Sequence, residues 1–182
     1  MKKIKLLVVT PYFYPKIGGL ENYAFNIAKN LMKNYNYEVV VITSNHESKE
    51  YKEENLEGMK IYRLPYQFKV SNTPISFKWK RQIKEIIEKE NPDIINAHSP
   101  VPFISDVACR VAHKKKIPFL LTYHNDLIKE NILLNLICKK YYWFIGNKTL
   151  NQSDKIIATS EYYSNNSPYL KKIKIKYYLS HN

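Results

Sequence analysis

The segment Ile4–Leu31 constrains the fold of this chain more than any other. It opens with Ile4–Val9, a nearly continuous run of branched apolar residues, which is typical of a strand buried on both faces of a parallel sheet. Pro11 ends the run, and the following loop holds Gly18 and Gly19, half of the chain's 4 glycines. Apolar residues then recur at helical spacing to the end of the segment. A strand, a glycine loop and a helix in this order direct backbone N–H groups and a positive helix end at whatever lies above the sheet edge.

The glycine pair by itself fits two interpretations. Lacking Cβ atoms, Gly18 and Gly19 let a phosphate or sugar approach the main chain closely, but a glycine pair before a helix is also ordinary turn chemistry. Neither the G-x-G-x-x-G dinucleotide fingerprint nor the G-x-x-x-x-G-K-[ST] P-loop is present.

Length and charge narrow the class of protein. A chain of 182 residues is large enough for one domain with a sizeable core and too short for two full α/β domains. Lys and Arg total 29 against 16 Asp and Glu, a net charge of +13, which favours an anionic partner or simply a lysine-rich solvated surface. Cys109 and Cys138 lack metal-ligand spacing and are interpreted as buried free thiols in a reducing compartment. With no signal-peptide core and no apolar run of membrane-spanning length, we expect a cytoplasmic protein.

Strand-like and helix-like segments alternate along the rest of the chain. The predicted strands after the first are Glu38–Thr43, Gly58–Leu64, Asp93–Ala97, Ile117–Tyr123, Lys155–Thr159 and Ile173–Leu179. Four further helices are predicted: one that Ser76 caps and that ends before Asn91, and three that span Phe103–Lys115, Ile128–Leu150 and Ser160–Tyr169. The segment Ser44–Asn55 is predicted as a polar loop. This alternation predicts an α/β fold, a doubly wound, mostly parallel sheet with helices on both faces.

Three informative segments fall at the same edge of that sheet. Ligands of doubly wound sheets bind beyond the carboxyl ends of the strands, where the strand order reverses. Pro11–Gly19 follows the first strand, His98–Pro102 follows the Asp93–Ala97 strand, and His124–Asp126 follows Ile117–Tyr123. Their convergence favours a ligand-binding role for the glycine pair over that of an ordinary turn, and it predicts a binding site at this edge of the sheet.

With these segments placed, the chain resembles the N-terminal half of family 4 glycosyltransferases, which are retaining enzymes of GT-B fold. The resemblance rests on four pieces in the family's order and at its approximate spacings, and together they span nearly the whole chain: PYFYPKIGGLENYAFNIAKNLMKNYNYEVVVIT at 11–43, PDIINAHSP at 92–100, PFLLTYHNDL at 118–127 and SDKIIATSEYYSNN at 153–166.

The resemblance implies an activity and a set of site residues. Family members transfer a sugar from a nucleotide-sugar to a glycan or lipid-linked acceptor with retention of anomeric configuration. No cofactor or metal is expected, because the nucleotide-sugar is a substrate. By this resemblance Gly18 and Gly19 lie against the donor's phosphate and sugar, and His124, the candidate catalytic residue, faces the transferred sugar. The implied acceptor cleft comprises Glu21, His98, Ser99, Asn125 and Asp126. Two of these have simpler alternatives, Glu21 as a first-turn carboxylate and Asp126 as a helix cap.

The resemblance also implies a second domain. We expect residues 1–179 to form the Rossmann-like acceptor-side domain and residues 180–182 to begin an interdomain linker. In the family, a C-terminal domain supplies most donor contacts, so a chain that ends here is expected to need such a domain, or a partner chain, for activity.

The basic and aromatic residues suggest a membrane as a further partner. Lys78, Trp79, Lys80 and Arg81 mix cations with an aromatic ring, and residues 139–144 (KKYYWF) do the same, a combination that suits the headgroup region of an anionic membrane. Both tryptophans also fit core positions on helix patterning. The alternative to an enzyme domain is therefore a noncatalytic basic module, or partner subunit, that docks on an anionic membrane. Nucleic acid is not expected, because no recognised motif accompanies the charge.

Overall fold

A computed structural model describes residues 2–70, 73–99, 102–128, 130–173 and 177–179. The strands are β1 (Ile4–Val9), β2 (Tyr37–Ser44), β3 (Lys52–Leu56), β4 (Met59–Leu64), β5 (Phe68–Val70), β6 (Thr73–Ile75), β7 (Ile94–Ser99), β8 (Phe119–Tyr123), β9 (Lys155–Ala158) and β10 (Tyr177–Leu179). The α-helices are α1 (Gly19–Asn34), α2 (Trp79–Glu90), α3 (Ile104–Lys115), α4 (Ile132–Tyr141), α5 (Asn147–Gln152) and α6 (Glu161–Asn166). A π-helical turn (Tyr142–Gly146) joins α4 to α5, and a 3₁₀ turn (Leu170–Lys172) follows α6.

The main sheet has the doubly wound order that the sequence predicts. Within the described residues it contains 8 strands in the order β10-β9-β8-β7-β1-β2-β4-β3. Every neighbouring pair is parallel except β3 with β4. The chain runs from β1 outward through β2 and β4, then returns to the other side of β1 at β7. The strand order therefore reverses between β1 and β7, and ligands of such folds bind beyond this point.

Helices cover both faces of the sheet and create two cores. Helices α2 and α3 and the end of α5 bury Trp79, Ile83, Ala108 and Leu150 against one face. Helix α1 and the loop before it bury Ala24, Ala28 and Phe13 against the other. The central strands are apolar on both faces because both faces are covered, which is why they are such clear runs in the sequence.

Strand β3 and the β5–β6 hairpin were not predicted. Residues 52–55, assigned to a polar loop, lie in β3, which pairs antiparallel with β4 through a tight turn at Glu57 and Gly58. Strand β3 reads KEENL because it is an exposed edge, where charged side chains discourage further pairing. The β5–β6 hairpin is too short to give a period-2 signal, since each of its strands has only 3 residues.

The predicted helix Ile128–Leu150 begins later than expected. The Asn131 side chain caps α4 by accepting hydrogen bonds from the N–H groups of Leu133 and Leu134, at 3.0 and 3.1 Å. The predicted last strand Ile173–Leu179 is observed at Tyr177–Leu179. Residues 174–176 of that strand, residue 129 of the helix and the expected linker 180–182 lie outside the described residues.

Trp79 is not a membrane-facing residue. Its side chain is fully buried on the inner face of α2, and its Nε1 donates a hydrogen bond to the Pro65 carbonyl at 2.9 Å. An indole at this helix phase packs on the sheet with Ile83. The other three residues expected to face a membrane are exposed: Lys78, Lys80 and Arg81. Cys109 and Cys138 are buried free thiols, as predicted.

Candidate functional site

The glycine loop reaches the sheet edge directly above β1. Helix α1 begins at Gly19, and a Cβ at Gly18 would lie 2.3 Å from Oε2 of Glu21, so the Glu21 carboxylate folds back over Gly18. A Cβ at Gly19 would meet nothing within 4 Å, which leaves this backbone uncovered. Glu21 is only 8% exposed. Glu21 therefore supports the loop instead of lining a cleft, because its carboxylate is turned inward.

His98 and His124 meet at the ends of the neighbouring strands β7 and β8. Nδ1 of His98 and Nε2 of His124 are 2.9 Å apart, and the two rings stack with centroids 5.2 Å apart. The Tyr23 ring of α1 stands perpendicular to the His124 ring, at 5.2 Å between centroids. The glycine-loop helix and the two histidine segments thus converge at the edge where they were expected, although residues 100 and 101 of the His98 segment lie outside the described part of the chain.

Tyr23 was not singled out as a site residue from the sequence. Its position contained the signal, since it follows Gly19 by four residues and so lies on the same face of α1 as the helix start. Its aromatic character fits a core position equally well, so the contact with His124 could not be inferred from spacing alone.

Burial keeps the two histidines neutral. It lowers the pKa of His124 to about 4, and burial together with the neighbouring His124 lowers the pKa of His98 well below its ordinary value. At neutral pH one of the two facing nitrogens donates the hydrogen bond and the other accepts it. The second ring nitrogen of His124, Nδ1, is not part of that bond. His124 can therefore offer a neutral hydrogen-bonding group but no positive charge.

His98 holds His124 in place and does not line a cleft. Its side chain is 1% exposed, so an acceptor cannot reach the ring, contrary to the cleft position expected for it. Ser105 Oγ donates to the His98 carbonyl at 2.6 Å, which fixes the end of β7. The His124 N–H donates to the Ser99 carbonyl at 3.3 Å, and Thr159 Oγ1 donates to the Tyr123 carbonyl at 3.2 Å. These bonds position the His124 backbone from both neighbouring strands.

Of the other residues expected in the acceptor cleft, Asp126 has a structural role, whereas Asn125 and Ser99 lie at the surface. Asp126 Oδ1 accepts hydrogen bonds from the Tyr123 hydroxyl and from Ser167 Oγ, so the carboxylate ties the loop to the segment after α6. It caps no helix, since Asn131 caps α4, and its hydroxyl partners make it an anchor instead of a free cleft group. Asn125 is exposed and Ser99 is half-buried, so these two remain at the surface of the site.

A buried arginine fixes the glycine loop from the far side. Arg63 of β4 is 1% exposed; its Nη2 donates to the Tyr14 carbonyl at 2.6 Å, and its Nε donates to Glu54 Oε1 at 2.5 Å. This contact connects the loop to two strands at once. The sequence signal was an arginine at the position where the alternation from Met59 to Ile61 predicts another apolar residue.

An apolar cavity opens at the same sheet edge. Its volume is about 220 Å³, and its lining includes Phe103 from the segment after β7 and Leu127 from the loop after His124. Leu134 and Ile137 of α4 and Ile75 of β6 contribute further apolar walls. Two of its walls thus belong to the segments that follow His98 and His124 in the chain, and the cavity is chemically suited to a hydrocarbon group.

Among the described residues, no group of three or more His, Cys, Asp or Glu side chains is arranged to hold a metal ion. No helix in the described ranges is both long and apolar enough to cross a membrane.

Comparison with known proteins gives sequence relatives among glycosyltransferases. O-antigen chain mannosyltransferase C of Escherichia coli is 27% identical over 177 residues, which cover 95% of this chain and 44% of that protein. The phosphatidylinositol N-acetylglucosaminyltransferase GPI3 subunit of Saccharomyces cerevisiae is 23% identical over 157 residues, covering 85% of this chain and 33% of the relative. The chain thus spans less than half the length of these relatives.

Solved structures show the same fold at low sequence identity. Sucrose-phosphate synthase from Thermosynechococcus elongatus superposes with a TM-score of 0.63 at 14% identity, covering 97% of this chain and 47% of that one. The MnaA–UDP structure from S. aureus gives a TM-score of 0.60 at 16% identity, covering 100% of this chain and 45% of that one. The Rossmann-like architecture described above is that of the N-terminal half of a GT-B fold.

The family model named Glycosyltransferase Family 4 matches residues 17–166, which include α1 from its first residue, the histidine pair and every strand from β2 to β9. This match covers most of the chain, and the sheet, the glycine loop and the order of the segments agree with it. The chain belongs to glycosyltransferase family 4.

Proposed function

We propose that this chain is the acceptor-side domain of a retaining glycosyltransferase, which works with a nucleotide-sugar-binding domain at the cytoplasmic face of a membrane. The observation that carries the proposal is the meeting of the glycine-loop helix, Tyr23 and the His98–His124 pair at the switch point of the sheet. The mannosyltransferase and the phosphatidylinositol N-acetylglucosaminyltransferase among the relatives support a glycan or lipid-linked acceptor.

The uncovered backbone of Gly19 is the proposed contact for the donor's phosphate. As the bond between sugar and diphosphate breaks, negative charge develops on the leaving phosphate. The N–H groups in the first turn of α1 and the positive end of this 16-residue helix stabilise that charge without reorganising. Because a Cβ at Gly19 would point into open space, a phosphate can approach the main chain there.

A neutral His124 suits the proposed contact with the transferred sugar. Positive charge develops on the sugar ring while the bond breaks, and a protonated imidazole beside it would oppose that change. The low pKa of His124 keeps the ring uncharged, and its bond to His98 fixes the ring's orientation. The remaining ring nitrogen is then available to a sugar hydroxyl.

The apolar cavity is the proposed place for the hydrocarbon part of a lipid-linked acceptor. Its walls at Phe103 and Leu127 belong to the two segments that end in the site, so a chain lying there brings its head group toward His124. Asn125 and Ser99 are polar groups at the surface of the site and are the proposed contacts for acceptor hydroxyls. No cofactor is needed in this scheme, because the nucleotide-sugar is itself the activated substrate.

The coding sequence after the Asn182 codon provides the first test. A second Rossmann-like domain encoded in frame, or by an adjacent gene, supports the proposal. If neither exists, transfer by this chain is refuted as proposed, and the noncatalytic membrane-binding alternative takes its place.

A transfer assay with both domains provides the second test. The two-domain protein is incubated in detergent with nucleotide-sugars and a lipid extract, and the anomeric configuration of the product is read by proton NMR. We expect a retained configuration, and a loss of transfer of about 100-fold in His124→Ala. His113→Ala, which removes the exposed histidine of α3, serves as the matched control and should transfer normally. An inverted product, or an unchanged rate in His124→Ala, contradicts the proposal.

A further inference from the structure

The helical run from α4 to α5 presents an apolar face to solvent. Six large side chains on it are between 50% and 85% exposed: Ile132, Leu133, Leu136, Ile137, Trp143 and Phe144. Their spacing, of three to four residues within α4 and of seven from Leu136 and Ile137 to Trp143 and Phe144, places them along one side of the run, and we call them the apolar stripe. Trp143 and Phe144 stack on each other with centroids 5.5 Å apart, without entering the core.

The stripe is separate from the side of these helices that packs on the core. The opposite side of the same run is buried through Cys138 and Tyr142, so the helices are apolar on both sides. A helix at the surface of a soluble domain ordinarily turns polar residues to water. A contiguous group of exposed apolar side chains of this size marks an interaction surface.

Positive charge accompanies the stripe between Glu130 and Asp154, the acidic residues that flank this run. Residues 131–153 contain Lys139, Lys140 and Lys148 and no acidic residue. Lys148 follows Phe144 by one helical turn and lines a groove of about 480 Å³ between α2, α3 and α5. Lys80, Lys84, Arg110 and Lys114 line the same groove, and none of the described residues that line it is acidic. The apolar stripe therefore continues into a positively charged groove.

We infer that the apolar stripe and the basic groove form one docking surface for the anionic face of a lipid bilayer. The stripe enters the boundary between head groups and acyl chains, with Trp143 at the level that tryptophan favours, and the groove takes lipid phosphates. A second copy of the chain is a poorer occupant, because stripe-to-stripe contact would bring two basic grooves together. A nucleic acid would satisfy the groove but would leave the aliphatic side chains of the stripe in water.

The docking surface is the place at which the proposed transferase would meet a lipid-linked acceptor. Ile137 belongs to the stripe and also lines the apolar cavity, whose wall at Leu127 belongs to the loop that follows His124. A lipid acceptor in the same bilayer is thereby brought to the cavity. The inference rests on the proposed function in this respect, but its test needs no sugar transfer, so that the two can fail separately. Trp143, instead of Trp79, is the interfacial tryptophan of this surface. Of the residues first expected to face the membrane, Lys80 is part of it.

The test is binding to vesicles, followed by co-sedimentation and by tryptophan emission. The full chain is mixed with vesicles of phosphatidylcholine alone or with 30% phosphatidylglycerol, at low and high salt. We expect binding to the anionic vesicles that falls at high salt. Since Trp79 is fully buried and Trp143 is 75% exposed, a blue shift of emission on binding reports insertion of Trp143.

Variants separate the stripe from the groove. We expect Trp143→Ala with Phe144→Ala to weaken binding about tenfold. Lys114→Gln with Lys148→Gln should weaken it roughly 25-fold, at about fivefold per cation. Lys33→Gln with Tyr35→Ala is the matched control, since these exposed residues lie at the end of α1 on the other face of the sheet, and it should bind as the unaltered chain does.

Three results would overturn the inference. One is binding that the stripe and groove variants leave unchanged. Another is co-sedimentation without any change in tryptophan emission, which would place the contact on a different surface. The third is the absence of vesicle binding, whether or not the chain forms dimers through the stripe or binds an oligonucleotide in the groove. Normal transfer to a detergent-dispersed acceptor alongside any of these would leave the proposed function intact.

Discussion

Acid should destabilise this domain through the buried histidine pair, and the size of the effect can be worked out from the site. The pKa of His124 falls from an ordinary value of 6.5 to about 4 in the folded chain, because burial disfavours the imidazolium. The groups that face it are the Tyr23 ring from α1 and His98 from β7, and neither is an anion that could stabilise a positive charge. A shift of this size corresponds to about 3 kcal/mol of folding free energy.

The sign follows from the number of protons that each state binds. Between pH 6.5 and about 4 the unfolded chain protonates this histidine while the folded chain does not, so the free energy of unfolding falls as the pH falls. The contribution of the neutral His124 to the free energy of unfolding is fully present above pH 6.5 and is lost as the pH approaches 4. His98, whose pKa is lowered in the same direction, adds to the loss.

Urea unfolding at pH 7.5 and pH 4.5 measures this effect when it is compared between variants. Carboxylates also titrate in this range, but they are common to both proteins and cancel in the comparison. We expect His124→Asn to lose about 2–3 kcal/mol less than the unaltered chain between the two pH values. His113→Asn, at an exposed position, should keep the original pH dependence. Equal losses in His124→Asn and the unaltered chain would refute the claim that His124 is held neutral by burial.

Four further predictions concern the loop and the core. Gly19→Ala should leave the melting temperature unchanged or raise stability by up to about 1 kcal/mol, because its Cβ meets open space, while transfer in the two-domain protein falls at least about tenfold. Gly18→Ala should cost about 1 kcal/mol in thermal unfolding because its Cβ displaces the Glu21 carboxylate, so the reverse order of stability for the two variants would contradict the loop geometry. Arg63→Met should cost about 1–3 kcal/mol in urea unfolding, because the Tyr14 carbonyl loses its guanidinium donor and Glu54 keeps only Lys52 as a cationic partner; a change below about 0.5 kcal/mol would show that the contact does not hold the loop. Burial raises the pKa of Cys109 to about 12, so this thiol should react with a disulfide reagent at pH 8 only as the chain unfolds; rapid labelling of the native chain at this residue would be inconsistent with its burial.

The elements that the sequence predicted well are those whose signal is local. β1 was predicted with the bounds it has, and the buried parts of β2, β7 and β8 were placed correctly, because a parallel strand covered on both faces must be apolar along its length. The charged strand β3 was missed because an exposed edge has no such requirement. The same reasoning explains Arg63, since a pattern of apolar residues gives no information on which carbonyl a buried guanidinium will bind.

Tryptophan shows most clearly where local patterning fails. Trp79 and Trp143 both lie beside lysines in helical segments, and the sequence offered the core and the membrane for each of them. In the structure Trp79 is buried under α2 and Trp143 is 75% exposed. The difference depends on which other elements cover each helix and therefore on the packing of the whole domain.

The sequence by itself determined the order of the parallel strands and of the helices between them, and thereby which segments share the carboxyl edge of the sheet. That order follows from chain-local periodicity and from the right-handed crossover of parallel strands. Only the tertiary structure decided that His98 bonds to His124, that Asp126 bonds to Ser167, and that the apolar stripe lies uncovered beside a basic groove. Each of these depends on contacts between residues far apart in the chain, whose geometry is fixed when the layers pack together.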